Sequence, residues 1–234
     1  MSRAVLIFAR SPRAEAAAKQ LGRSRAPLFA AVARSWVRAA ARCRAAVLVA
    51  SAPEHRRALR SAGAWIEQRG ETFGERLASS AVEAFAAGVE TLLITGIDAP
   101  PPSPAVLDAG FRAVETGEAA SVVSPSTDGG INFIVLRRRD VALLSGFAVG
   151  ERDLVERCRI HFRDERCLLL ETVSDVDSPE HLAALSDEAA WLPYIGLLAT
   201  ARRDWPTGGD APVRRNTGSA ASLRAPPARS LPAA

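Results

Sequence analysis

The residues whose type and placement could do chemistry are acids in three loops. Asp98 lies in Thr91 to Pro100 (TLLITGIDAP), Asp128 in Pro125-Ser126-Thr127-Asp128-Gly129-Gly130, and Asp175 and Asp177 in Asp175-Val176-Asp177-Ser178-Pro179-Glu180. Singly each is ordinary, because acids at strand ends and in glycine turns serve backbone conformation. Asp98 in particular could equally cap a helix that starts near Pro104. Together they say more. Each sits where an apolar run ends, each is flanked by Gly or Pro that fixes its direction, and a parallel sheet brings such loops to one edge. Hard oxygen donors from separate loops suit a divalent cation that carries a nucleoside diphosphate, since Mg²⁺ takes one or two protein carboxylates and completes its shell with phosphate and water.

The elements that must position these acids read as strands alternating with helices. Ala4 to Ala9 is an unbroken apolar run, as expected of a strand buried on both faces and central in a parallel sheet. A polar loop, Arg10 to Arg13, and the segment Ala14 to Leu21 with Lys19 follow it. Pro27 to Arg44 carries a helix-period stripe of Leu28, Phe29, Val32, Trp36 and Val37. Ala45 to Ala50 reads as a strand, Pro53 to Ala62 as a basic helix, Ala64 to Gln68 as a strand, and Thr72 to Gly88 as a helix with Leu77, Val82 and Phe85 inward. Beyond the Asp98 loop, helices are expected over Ala105 to Glu115 and Glu151 to Phe162. Strands are expected over Ala119 to Ser124, Ile131 to Leu136 and, fully buried, Cys167 to Leu170. Ser178 before Pro179 predicts an N-cap for a last helix over His181 to Leu185. The fold class that follows is α/β, built from βαβ units.

Composition bounds the rest. The 234 residues, 48% of them hydrophobic, suffice for one sizeable core. We expect one domain over residues 1–186 and an extension over 187–234, with one helix near Trp191 to Thr200 and a Gly-, Pro- and Arg-rich tail that composition marks as disordered. The net charge of +4 is concentrated in that tail, and no aromatic residues are interleaved with its arginines, so a nucleic-acid partner is not expected. Three cysteines without CxxC spacing argue against a disulfide framework or a zinc site and for a reducing cytoplasm. No segment has the apolar length of a membrane span, and the first apolar run is too short for a signal peptide. Lys19 is the one lysine among 30 basic residues.

The order of motifs resembles a known family. F-A-R-S-P at Phe8 to Pro12, Q-x-G-x-x-x-G-E-R-L at Gln68 to Leu77, G-x-D-x-P at Gly96 to Pro100, P-x-x-D-G-G at Pro125 to Gly130 and D-V-D-S-P-E-x-L at Asp175 to Leu182 are similar to motifs of the GT-A-fold nucleotide-diphospho-sugar transferase superfamily. The match is to its bacterial branch described as a domain of unknown function. That branch includes arsenosugar-type glycosyltransferases and is similar to molybdenum-cofactor and phospholactate nucleotidyltransferases. The resemblance implies a three-layer, Rossmann-like GT-A fold with a mostly parallel, mixed central sheet. It implies Asp98 and Asp177 as ligands of Mg²⁺ or Mn²⁺. It also implies Phe8, Ala9, Arg10, Gln68, Gly74, Arg76 and Gly96 near the nucleotide, and Gly129, Gly130 and Asn132 around the acceptor or sugar.

The expected activity is a metal-dependent glycosyltransferase with a nucleotide-activated sugar donor and a small-molecule acceptor, Asp128 orienting or deprotonating the acceptor hydroxyl. The alternative is a nucleotidyltransferase joining a nucleoside triphosphate to a small phosphorylated metabolite, with Lys19 or Arg10 stabilising the in-line transition state. A non-catalytic binding or scaffold descendant is a further alternative. Where the family has a Pro-Gly turn in its phosphate loop, this chain has Pro12-Arg13-Ala14-Glu15, which removes the turn and adds a negative charge.

Overall fold

The computed structural model describes residues 2–59, 62–194 and 196–197. In chain order its elements are β1 (Arg3–Phe8), α1 (Pro12–Ala18), α2 (Ala26–Arg42), β2 (Ala46–Ser51), α3 (Arg56–Leu59), β3 (Ala64–Glu67) and α4 (Phe73–Ala86). They continue with β4 (Thr91–Thr95), α5 (Pro104–Thr116), β5 (Ser121–Pro125), β6 (Ile131–Arg137), α6 (Leu154–Phe162), β7 (Cys167–Leu169) and α7 (Pro179–Ala184). Local chemistry sets several boundaries. Thr72 and Glu75 close a reciprocal capping box at the start of α4. Ser103 caps α5 ahead of Pro104, and Gly117, at φ 82°, ends it in the left-handed conformation that glycine adopts without cost. Asp98 is therefore not the cap of α5.

The strands form one seven-stranded sheet in the order β3-β2-β1-β4-β6-β5-β7. Every pairing is parallel except the two made by β6, which runs against β4 and β5. The carboxyl ends of β1, β4 and β5 consequently point to one edge. Alternate residues of each strand enter different layers, as the pleat requires. Val5, Ile7 and Leu93 pack with Phe29, Trp36, Phe111 and Trp191, whereas Ala4, Leu6, Leu92 and Ile94 pack with Leu77, Phe85, Leu144 and Phe162. The architecture is the three-layer, mixed and mostly parallel α/β fold expected from the sequence.

The differences from the sequence reading are local. The loop expected at Arg10 to Arg13 gives way at Pro12 to α1, because Ser11 accepts a hydrogen bond from the Ala14 amide and Pro12 fits a first helical turn. Val82 is 51% exposed rather than inward. The strand at Cys167 is the sheet edge rather than a buried strand, with Leu168 and Leu169 exposed by 46% and 40%. The basic helix after Pro53 is a 3-10 turn followed by the single turn of α3, and α6 starts at Leu154, three residues late. A 3-10 segment over Arg138–Gly146, which no periodicity announced, packs on α4. The helix expected from Trp191 to pack against the body begins as a 3-10 segment, Ala189–Tyr194, and Trp191 and Tyr194 join the same core as Trp36. The remainder of the helix expected to reach Thr200 lies, save for residues 196 and 197, outside the described residues, as does the whole tail. Among the described residues no helix is long and apolar enough to cross a membrane.

Candidate active site

The site forms where the loops leaving β1, β4 and β7 meet. After β4, Gly96 makes room for an acid: a Cβ on Gly96 would lie 2.4 Å from Asp98 Oδ1, so any side chain here would push the carboxylate out of its present position. Two hydrogen bonds hold that loop. Trp36 Nε1, fully buried on α2, donates to Ala99 O at 2.9 Å, and the Val176 amide donates to Asp98 O at 3.0 Å. The second bond pins the late acidic loop onto the Asp98 loop. Val176 itself is buried, and the acids on either side of it, Asp175 and Asp177, both reach the site.

The late loop is fastened elsewhere as well. Asn132 Nδ2 donates to Pro125 O at 3.0 Å and Val173 O at 2.7 Å, Trp191 Nε1 donates to Ser174 O at 2.8 Å, and the Ser174 amide donates to Glu188 at 3.2 Å. These bonds convert an irregular loop into a fixed mount. On it, carboxylate oxygens of Asp98, Asp175 and Asp177 come within 4.8 Å of one another. Asp175 joins the pair inferred from sequence; its signal was the alternation Asp-Val-Asp with an apolar residue between. Ser126 Oγ donates to Asp175 Oδ1 at 2.5 Å. Burial, and after it the charge of Asp98, push the Asp175 carboxyl up to about 7.

Lys19, at the C-terminal cap of α1, completes the cluster. Its Nζ donates to Asp98 Oδ2 at 2.8 Å and to Asp177 Oδ1 at 2.5 Å, with the side chain only 11% exposed. Burial opposes the ammonium charge, but the charges of Asp98 and Asp177 outweigh it, and the Lys19 pKa is raised. Glu15, one turn earlier, is also buried and takes a 3.5 Å ion pair from the exposed Arg10. Burial and then the charge of Asp98 raise the Glu15 pKa. The donor set of three carboxylates fits a hard divalent cation. The positive charge such an ion would bring is supplied here by Lys19.

The remaining residues singled out from sequence are placed as follows. Ala9 N and Gln68 Nε2 both donate to Ala50 O, at 3.1 and 3.0 Å, which gathers the ends of β1, β2 and β3. Phe8 meets Phe73 edge to face at 5.5 Å. Gly74 is buried where a Cβ would strike Ser145 O at 2.4 Å, so it serves the packing of α4. Arg76 donates to Glu71 O at 2.7 Å. Asp128 accepts from the Gly130 amide at 2.8 Å within its own turn and is not one of the three converging acids. Gly129, at φ 92°, lies against Arg152 O, where a Cβ would stand 2.1 Å away. Asn132 is buried as a brace between β5 and the late loop.

A sequence-family model described as "Uncharacterized protein conserved in bacteria (DUF2064)" matches residues 32–151, half of the chain. The chain belongs to the DUF2064 family. The matched stretch contains Asp98 and Asp128, whereas Lys19, Asp175 and Asp177 lie outside it. No curated protein matches the DUF2064 chain. Solved structures do. An inferred nucleotide-diphospho-sugar transferase from Desulfovibrio desulfuricans G20 superposes with a TM-score of 0.67 at 17% identity, covering 86% of this chain and 99% of the other. A cytidylyltransferase from Leptospira borgpetersenii serovar Hardjo-bovis gives 0.55 at 11% identity, covering 87% and 94%. A CMP:2-keto-3-deoxy-manno-octonic acid synthetase, solved with CTP, gives 0.51 at 15% identity, covering 79% and 97%. At these identities the likeness is one of fold: this DUF2064 protein shares the α/β architecture of these transferases.

Proposed function

We propose that this DUF2064 protein is a cytoplasmic transferase that takes a sugar from a nucleotide-activated donor and passes it to a small-molecule acceptor. The observation that supports this most is the convergence of Asp98, Asp175 and Asp177 with Lys19 beside the carboxyl ends of β1 and β4. Ligands of open α/β sheets bind at that edge. Asp98 and Asp177, with Asp175 beside them, would hold Mg²⁺ or Mn²⁺, which supplies neutralising charge for a leaving nucleoside diphosphate. Arg10 and Lys19 would meet phosphate oxygens, and Asp128 would serve the acceptor hydroxyl, as orienter or general base. Gln68 and Ala9, joined through Ala50 O, would border the nucleotide.

A nucleotidyltransferase is the second reading, and the CTP-bound synthetase of the same fold favours it. The form of α1 weighs against it. A triphosphate calls for a glycine-rich nest of free amides, and here that stretch is a capped helix carrying the buried Glu15. The test is thermal shift and calorimetry with Mn²⁺ plus either sugar nucleotides or nucleoside triphosphates, followed by product analysis. Stabilisation by sugar nucleotides alone eliminates the nucleotidyltransferase. Binding of neither class, in wild type and Asp98→Ala alike, leaves a scaffold protein.

A further inference from the structure

The cation between Asp98 and Asp177 belongs to the protein itself. We propose that Lys19 is a resident counter-ion of this site, and that a divalent metal enters only by displacing the Lys19 ammonium from the carboxylates. The inference rests on reading Asp98 and Asp177 as cation ligands. Three observations carry it. Lys19 Nζ makes short ion pairs to both acids at once, 2.8 Å to Asp98 and 2.5 Å to Asp177, from a side chain that is 11% exposed. These carboxylates belong to the group whose oxygens converge within 4.8 Å, so a metal and the ammonium would contend for the same negative charge.

The third observation is compositional. The chain has 30 basic residues, and the one lysine stands at this point. An ammonium is a compact charge with freely rotating donors on a flexible stem, able to stand in for an ion and to swing away, whereas a guanidinium is a planar fork suited to fixed bidentate pairing. Lys19 lies at the end of α1, followed by Gln20 at φ 58° and Gly22 at φ 73°, so the helix ends where its side chain begins its reach. In the metal-free protein Lys19 relieves the mutual repulsion of the acids and cross-links α1 to both acidic loops. Once displaced, the ammonium becomes available to an arriving anionic ligand, which couples metal entry to the readiness of the phosphate side.

Because Lys19 is the one lysine, labelling the full-length protein with [ε-¹³C]lysine gives a single side-chain signal. Mg²⁺ is titrated into this sample, while Mn²⁺ affinity is measured by electron paramagnetic resonance for wild type, Lys19→Met and Lys19→Arg. The expected result is that saturating Mg²⁺ moves the Lys19 signal toward that of a solvated lysine and speeds its reaction with an amine-directed reagent. Lys19→Met is expected to bind Mn²⁺ about tenfold or more tightly than wild type, since an opposing unit charge is removed from within a few ångströms of the ion. Lys19→Arg should not show this gain. If Lys19→Met does not fold, Lys19→Gln takes its place, and the lysine signal of the wild-type protein decides independently.

A Lys19 signal that stays unmoved at saturating Mg²⁺, or equal or weaker Mn²⁺ affinity in the neutral variant, overturns the proposal. Absence of metal binding in every form overturns it too, even where sugar nucleotides bind and the transferase reading survives. Conversely, displacement of Lys19 by Mg²⁺ with no nucleotide binding upholds the inference and removes the transferase reading.

Discussion

The two sides of the site are built by opposite strategies. The acidic side is held by the backbone: Asp98 and Asp177 ride on loops tied together through Val176 N and Asp98 O and anchored by Trp36, Asn132 and Trp191. The basic side is held by side chains alone, with Lys19 reaching across from α1 and Arg10, 54% exposed, meeting Glu15 at 3.5 Å. A backbone mount fixes position within the precision of the fold, whereas a long flexible side chain fixes charge but not place. The acidic loops are accordingly preorganised, and the cationic side chains opposite them are adjustable.

The largest expected effect tests the rigid side. Asp98→Asn keeps the shape of the loop and removes one carboxylate, and transfer activity should fall by about 100-fold or more, read as kcat/KM with a sugar-nucleotide donor. Retained activity would mean that the acids are structural. Next comes the mount itself. Trp191→Phe leaves Ser174 O without its donor and should cost about 1–3 kcal/mol of stability by urea denaturation. It should also weaken Mn²⁺ binding, because the loop bearing Asp175 and Asp177 loses a fastening.

The pH dependence sharpens the same contrast. Because the folded Asp175 carboxyl titrates at about 7, above the unfolded value of about 3.9, the folded state binds the extra proton between them. The associated stability is complete below the unfolded value and is lost as pH rises through the folded one. Metal-free wild type should lose stability across that window by about 1 kcal/mol or more, and Asp175→Asn should flatten the slope and be the more stable form at pH 8. A slope that persists in Asp175→Asn would place the titration elsewhere. The smallest effect falls on the adjustable side: Glu15→Gln removes a buried acid near Asp98 and should raise affinity for nucleoside diphosphates a few fold, roughly what one screened unit charge contributes.

What was legible in the sequence was legible for physical reasons. Buried parallel strands are continuous apolar runs, and Ala4 to Ile7 and Leu92 to Ile94 announced themselves as such. Acids followed by Gly or Pro at strand ends marked the loops, and Asp98 and Asp177 do converge. Asp175 was harder to assign, because whether one or both acids of an Asp-Val-Asp run face a site depends on where the valine is buried. Lys19 was marked by the likeness of its loop to a phosphate loop, but its contacts span 79 and 158 residues of chain, a separation that no local pattern encodes. The roles of Trp36 and Trp191 as backbone anchors were hidden for another reason: a buried tryptophan reads first as bulk, and its one N–H shows its use only when a carbonyl is in place. Residues 138–146 form 3-10 turns, which lack the periodicity that exposes helices and strands.

The hydrogen bond from Val176 N to Asp98 O acts as a dowel between two pieces of chain that are far apart in sequence. Parts joined by a dowel share one displacement. Asp98 and Asp177 are thereby set in one frame, which Trp36 extends to α2 through its bond to Ala99 O.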